Sequence, residues 1–172
     1  MDKEKHNIEG NVNYLSDDFQ INNYVNIFNK LISITLCNTD YNFDINNSYL
    51  ELNFVSDEII KEINYKYAGI NESTDVLAFP YFEDNNLDEN VQFEDKFMLN
   101  KVLKNNIGEI FISYPTALKQ SISHNHSVLN EIIILTIHGL LHIFGYDHYE
   151  NQEKIAMQLK EKIIFDRVQC NA

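Results

Sequence analysis

Thr136-Ile137-His138-Gly139-Leu140-Leu141-His142-Ile143-Phe144-Gly145-Tyr146-Asp147-His148 carries three of the chain's six histidines in a run that is otherwise mostly apolar. From Val128 to Phe144 the surrounding residues Ile132, Ile133, Ile134, Leu135, Ile137, Leu140 and Leu141 leave almost no polar face. That pattern predicts a helix buried by other elements, so the histidine-bearing helix is expected in the core. A helix advances about 100° and about 1.5 Å per residue, which puts His138 and His142 roughly 40° apart and about 6 Å along one face. Continued as helix, His148 would stand about 9 Å beyond His142 and roughly 240° around the axis. The helix must therefore end first, and Gly145 is placed to end it, because glycine takes the left-handed conformation of a helix C-terminus at little steric cost.

Two imidazoles one turn apart, with a third returned by the glycine, predict a metal site of His138, His142 and His148. Zinc is the first choice, since neutral imidazole suits it and three ligands leave the fourth position open for chemistry. His6, His124 and His126 have no such context and read as ordinary surface or loop residues.

Outward from this core the chain reads as alternating strands and helices. A short strand is expected around Asn11 to Leu15. A core-facing helix follows from Phe19 to Leu36, capped by Ser16 or Asp17 and carrying apolar residues at helical spacing. Tyr49 to Val55 alternates as a strand, and Ser56 caps a helix running to about Tyr67. Ser73 to Pro80 and Asn106 to Ser113 read as two further strands, the first closed by proline. Tyr81 to Asn105 between them is long and acidic, then carries Lys96, Lys101 and Lys104, as an insertion or hairpin would. Helices at Pro115 to Ser121, Val128 to Phe144 and Glu150 to Arg167 complete an α+β domain spanning 1–172. The expected architecture is a small mixed four-stranded sheet packed by about five helices.

The 172 residues include 44% hydrophobic side chains, with 10 Tyr and 11 Phe, enough apolar surface for one core. Cys37 and Cys170 are far apart and outside any CxxC pattern, which predicts free thiols in a reducing compartment. Neither an apolar run of about 18 residues nor a basic start with an apolar h-region is present, so a cytoplasmic location is expected. With 13 basic against 26 acidic residues, the formal charge of −13 opposes broad attraction to nucleic acid. Any contact with RNA must then be local, built on a metal ion and a limited basic patch.

The histidine spacing also matches the metzincin proteases, H-E-x-x-H-x-x-G-x-x-H. Where those enzymes place their general base, this chain has Gly139, which has no side chain. The complete run His138-Gly139-Leu140-Leu141-His142-Ile143-Phe144-Gly145-Tyr146-Asp147-His148 instead resembles H-G-x-L-H-x-x-G-Y-D-H of the YbeY endoribonucleases, also called ribosomal RNA maturation factors. Thr74-Asp75-Val76-Leu77-Ala78-Phe79-Pro80 is similar to that family's T-D-V-L-S-F-P, and Gly108-Glu109-Ile110-Phe111-Ile112-Ser113 to its G-D-I-x-I-S. The likeness is strongest over 49–148. It implies one zinc ion on the three histidines at the end of a cleft, and cleavage of single-stranded RNA in ribosomal RNA maturation and quality control, with the small ribosomal subunit as partner. Ala68, after Tyr67, stands where the family usually has arginine, so Lys66 becomes the candidate for substrate phosphate. Glu109, one methylene longer than the family's aspartate, is the first candidate for a supporting catalytic carboxylate and Asp75 the second; Asp147 reads as a turn cap. Two other functions fit the residues: a metal-stabilised ribosome-assembly or RNA-binding factor with little catalysis, and a metal-dependent hydrolase of a small molecule or peptide.

Overall fold

The computed structural model describes residues 8–15, 24–39, 48–81, 106–146 and 151–170, the side chain at 151 excepted. Four strands, β1 (Ile8–Tyr14), β2 (Ser48–Val55), β3 (Val76–Pro80) and β4 (Asn106–Ser113), form one sheet in the order β1-β2-β4-β3. β1, β2 and β4 run parallel, and β3 joins β4 antiparallel, which makes the sheet mixed. Five helices accompany it: α1 (Tyr24–Cys37), α2 (Asp57–Ala68), α3 (Tyr114–Ser123), α4 (Val128–Ile143) and α5 (Asn151–Cys170). The result is a single α+β domain, as the alternation of patterns predicts.

Strand parity decides what each sheet face does, because successive side chains point to opposite sides. On one face, a Cβ added to Gly10 would lie 2.5 Å from Phe28 of α1, one on Gly108 would lie 2.5 Å from Ile143 of α4, and one on Gly139 would lie 2.9 Å from Ile110. Glycine thus lets α1 and α4 approach the sheet closely, and Leu50, Leu52, Phe54, Ile110 and Ile112 fill the same side with no exposure. α5 packs across α1 and α4 through the stripe Met157, Ile164 and Val168. In the middle of this layer Tyr24 Oη and Thr136 Oγ1 are 3.0 Å apart, while Thr136 Oγ1 donates to the Ile132 carbonyl at 2.7 Å. The buried hydroxyls therefore satisfy one another and pin α1 to α4.

The opposite face carries α2, whose Tyr67 ring lies 5.0 Å from Phe79 of β3, with Phe79 5.9 Å from Phe111 of β4. α2 begins where the sequence predicts, the Ser56 hydroxyl accepting from the Ile59 amide, and stops at Gly69 with φ 72°. Near its start, Asp57 accepts from Ser113, from Thr116 Oγ1 at 2.7 Å and from Lys119 at 3.0 Å, binding α2 to α3.

Some limits differ from the expected ones. β1 starts at Ile8, three residues before Asn11, and β3 starts at Val76, after a bend at Asp75 whose carboxylate accepts from Thr74 Oγ1 and the Val76 amide. The expected start of α1 at 19–23, its cap at Ser16 or Asp17, and the acidic stretch 82–105 with its lysines lie outside the described residues. Cys37 and Cys170 are exposed free thiols. Among the described residues no single helix is long and apolar enough to cross a membrane.

Candidate metal centre and cleft

α4 ends as the sequence predicts. Helix geometry stops at Ile143, Gly145 takes φ 85°, its amide donates to the His142 carbonyl at 3.0 Å, and the Tyr146 amide donates to the Leu141 carbonyl at 2.9 Å. That pair of bonds is the Schellman arrangement, in which the chain turns back over the last helical turn. Tyr146 packs against the core cluster that includes Leu141, and Lys160 of α5 covers the Tyr146 ring at 5.0 Å. The turn leading toward His148 is therefore held on both sides. His148 and Asp147 themselves lie outside the described residues.

His138 and His142 come together on one face of α4, their rings 4.7 Å apart and their Nε2 atoms 3.1 Å apart. Two ligands of a tetrahedral zinc with bonds of about 2.0–2.1 Å stand about 3.3 Å from each other. The observed separation fits that requirement without rotation of either ring. The other nitrogen of His138, Nδ1, is 2.7 Å from Glu161 Oε1 on α5. A carboxylate there favours the proton on Nδ1 and leaves the Nε2 lone pair directed at His142, which is how outer carboxylates prepare imidazole ligands.

These histidines line one wall of a cavity of about 610 Å³, together with Gly139, Gly145 and Tyr146; the other wall is Thr74 to Ala78 and Pro80. Asp75 shapes that wall. Its Oδ1 accepts from the Val76 amide at 2.8 Å and Thr74 Oγ1 at 3.1 Å, its Oδ2 accepts from Gln120 at 2.9 Å, and its carbonyl accepts from the Ser113 amide. With its oxygens so engaged, Asp75 is fitted to hold the loop in place.

Glu109 does not share the cleft. Gly108 and Ile110 point at α4, so parity sends Glu109 to the opposite face, in register with Glu51 of β2 and Phe79 of β3. There, burial first and the Glu51 carboxylate second push the Glu109 carboxyl above its ordinary range, against a hydrogen bond from Tyr81 that lowers it. Tyr81 is pushed up by the same burial and by Glu109. Lys66 is exposed at the end of α2, its ammonium 4.9 Å from the Tyr67 ring, and it too is outside the cavity lining. Glu109 and Lys66, the carboxylate and phosphate-contact candidates, thus lie apart from the histidine-lined wall: a one-residue step along a strand changes faces, and α2 packs on the other side of the sheet.

Two features escape the sequence reading. Glu161 sits 23 residues after His138 on another helix, with nothing local to signal the pairing. His124 and His126, read above as ordinary residues, converge with Glu131 in a group that could hold a metal ion. The signal available for them was a His-x-His pair just before a helix start, followed by an acid in the first turn.

A family model described as endoribonuclease YbeY matches residues 11–169. The chain belongs to the YbeY endoribonuclease family. The endoribonuclease YbeY of Desulforamulus reducens is 32% identical over 161 residues, covering 93% of this chain and 97% of that protein. The Clostridium tetani endoribonuclease YbeY is 40% identical over 117 residues, 66% of this chain and 70% of its own length. In fold, the chain is similar to TM1509 of Thermotoga maritima, whose solution structure matches with a TM-score of 0.57 at 23% identity, over 95% of this chain and 90% of that one.

Proposed function

We propose that this YbeY-family chain is a zinc-dependent endoribonuclease that cleaves single-stranded RNA. In this reading it acts in the cytoplasm on ribosomal RNA at the small subunit, in maturation and quality control. The observation that carries the reading is the pair of Nε2 atoms 3.1 Å apart at the wall of the cleft, in a chain whose relatives are named endoribonucleases. His138 and His142 would hold the ion, with His148 as third ligand. A divalent ion held there would supply Lewis acidity toward a phosphoryl oxygen and would lower the pKa of a water to about 7. Glu161 holds the His138 ring and its proton at Nδ1, so that no reorientation is needed when phosphate arrives. The apolar stretch Val76, Leu77, Ala78 and Pro80 excludes water from one side of the scissile bond, and Asp75 keeps that stretch in position. On the far sheet face the Glu109 carboxyl meets Glu51 and Tyr81, away from the histidines.

The test is cleavage of an unstructured RNA by zinc-loaded protein, compared with His142→Ala. Loss of a ligand should reduce the rate by more than the roughly 10–100-fold that outer-shell changes cost. Equal cleavage by the two proteins, or none by either, removes the reading. The net charge of −13 favours a second reading, a metal-stabilised ribosome-assembly factor with little catalysis. Binding of small subunits that persists in His142→Ala, with ribosomal RNA processed normally in cells carrying that variant, would select it.

A further inference from the structure

The cluster of His124, His126 and Glu131 is built by two helix ends meeting. α3 finishes in a Schellman turn of its own: the Asn125 amide donates to the Ile122 carbonyl at 3.2 Å and the His126 amide to the Ser121 carbonyl at 3.1 Å. Asn125 takes φ 57°, the one non-glycine residue with positive φ among the described residues, which asparagine tolerates better than most. An extended His-x-His would also place both rings on one side, but about 7 Å apart along a strand. The left-handed step instead folds the two rings to 5.6 Å between centroids. Ser127 then caps α4, its hydroxyl accepting from the Asn130 amide, and Glu131 follows in the first turn.

Glu131 is only 3% exposed, on a helix whose buried residues are mostly apolar. A carboxylate there requires a cation or several donors in compensation. What faces it are two imidazole nitrogens, His124 Nδ1 at 3.0 Å and His126 Nε2, both directed at the same oxygen, Oε2. The three donor atoms lie within 4.8 Å of one another, and the His124 side is open to solvent. Glu131 lies seven residues before His138, about 10 Å along α4, so this group is separate from the cleft.

We propose that His124, His126 and Glu131 form a second divalent-metal site, of the two-imidazole, one-carboxylate kind, that fastens the α3–α4 turn. Imidazole ligands select a zinc-like transition ion over magnesium or calcium, and the solvent side leaves room for water to complete the coordination. The ion neutralises the buried carboxylate and ties the last turn of α3 to the first turn of α4. The site does not depend on the endoribonuclease reading.

The test uses the full chain stripped by chelator, then dialysed against Co2+ or Zn2+ with metal content and the Co2+ visible spectrum recorded. His124→Ala changes a solvent-exposed ring and should leave the fold intact by circular dichroism; Glu131→Gln is the second variant. The expected result is one equivalent fewer in His124→Ala than in wild type, and retention of that equivalent in His142→Ala. Zinc should also raise the melting temperature of His142→Ala, and not that of His142→Ala/His124→Ala. Equal metal content in wild type and folded His124→Ala overturns the proposal and leaves the two histidines as hydrogen-bond donors to Glu131. Absence of cleavage with the second equivalent still bound would count against the RNA reading alone.

Discussion

Replacing Glu161 isolates what an outer carboxylate contributes to the histidine centre. Its Oε1 is 2.7 Å from His138 Nδ1, a distance typical of charge-assisted hydrogen bonds. The two side chains are 25% and 31% exposed, so screening by solvent is partial. Glu161→Gln keeps a neutral acceptor at the same reach, while Glu161→Ala removes it and frees the ring to turn. Outer-shell changes of this kind cost about 10–100-fold in metal affinity, or about 1.4–2.7 kcal/mol. Gln should fall at the lower end and Ala at the upper. The measurement is competition for Zn2+ against a chromophoric chelator, with circular dichroism to establish that α5 remains folded. To isolate the histidine centre from His124, His126 and Glu131, it is best made in the His124→Ala background. If Gln and Ala both bind zinc within twofold of the parent, or if Gln is the weaker, the claim that Glu161 sets the His138 tautomer is refuted.

Two further outcomes follow from the far sheet face and the end of α4. The raised carboxyl of Glu109 favours its protonated form in the folded state, so its contribution to stability is complete at low pH and is lost as pH rises from the ordinary 4.5 through the higher folded value. Urea unfolding at a series of pH values should therefore show Glu109→Gln gaining on wild type as pH rises, and a flat or reversed difference would contradict the Glu51–Glu109 repulsion. At Gly145, φ is 85° and an added Cβ would meet nothing within 4 Å, so Gly145→Ala isolates backbone strain. The cost should be about 1–2 kcal/mol, lowering the melting temperature by roughly 2–8 °C. Gly69→Ala, also left-handed at φ 72° with open space, should cost the same while sparing zinc affinity, which Gly145→Ala should weaken.

Local signals carried most of the fold because they act over one turn or one strand. Ser56 and Gly69 bound α2 to within a residue of its expected limits, and Gly145 ends α4 through carbonyls that any helix leaves unpaired. β1 was harder, since its inward position 10 is a glycine, which breaks the apolar alternation that Ile8 and Val12 would otherwise display. Gly10 is there because the Phe28 and Ile32 side chains of α1 occupy the space a Cβ would need. The face of Glu109 could not be read because both faces of β4 carry apolar residues: Ile110 and Ile112 toward α4, Phe111 toward Phe79. Periodicity of two separates the faces without saying which is which.

The contacts that sequence did not expose share a cause. Among the described residues, the carboxylates that face imidazoles, Glu161 and Glu131, are brought to them by tertiary structure: one by the packing of α5 on α4, the other by a left-handed residue between two helices. A histidine motif names ligands, whereas the group that fixes each ring's proton is chosen by packing. α4 presents two such pairs about 10 Å apart because it is the most enclosed helix, where an imidazole or carboxylate must be matched by another group. The same enclosure steadies the His138 and His142 rings, since α4 cannot shift without disturbing Ile110 of β4 and the burial of its own Ile132, Ile137 and Leu140. Placing the site on the core helix thus makes its geometry a consequence of core packing. A substitution in that core that spares every polar residue, such as one enlarging Ile110 against Gly139, acts on the His138 ring through the position of α4 itself.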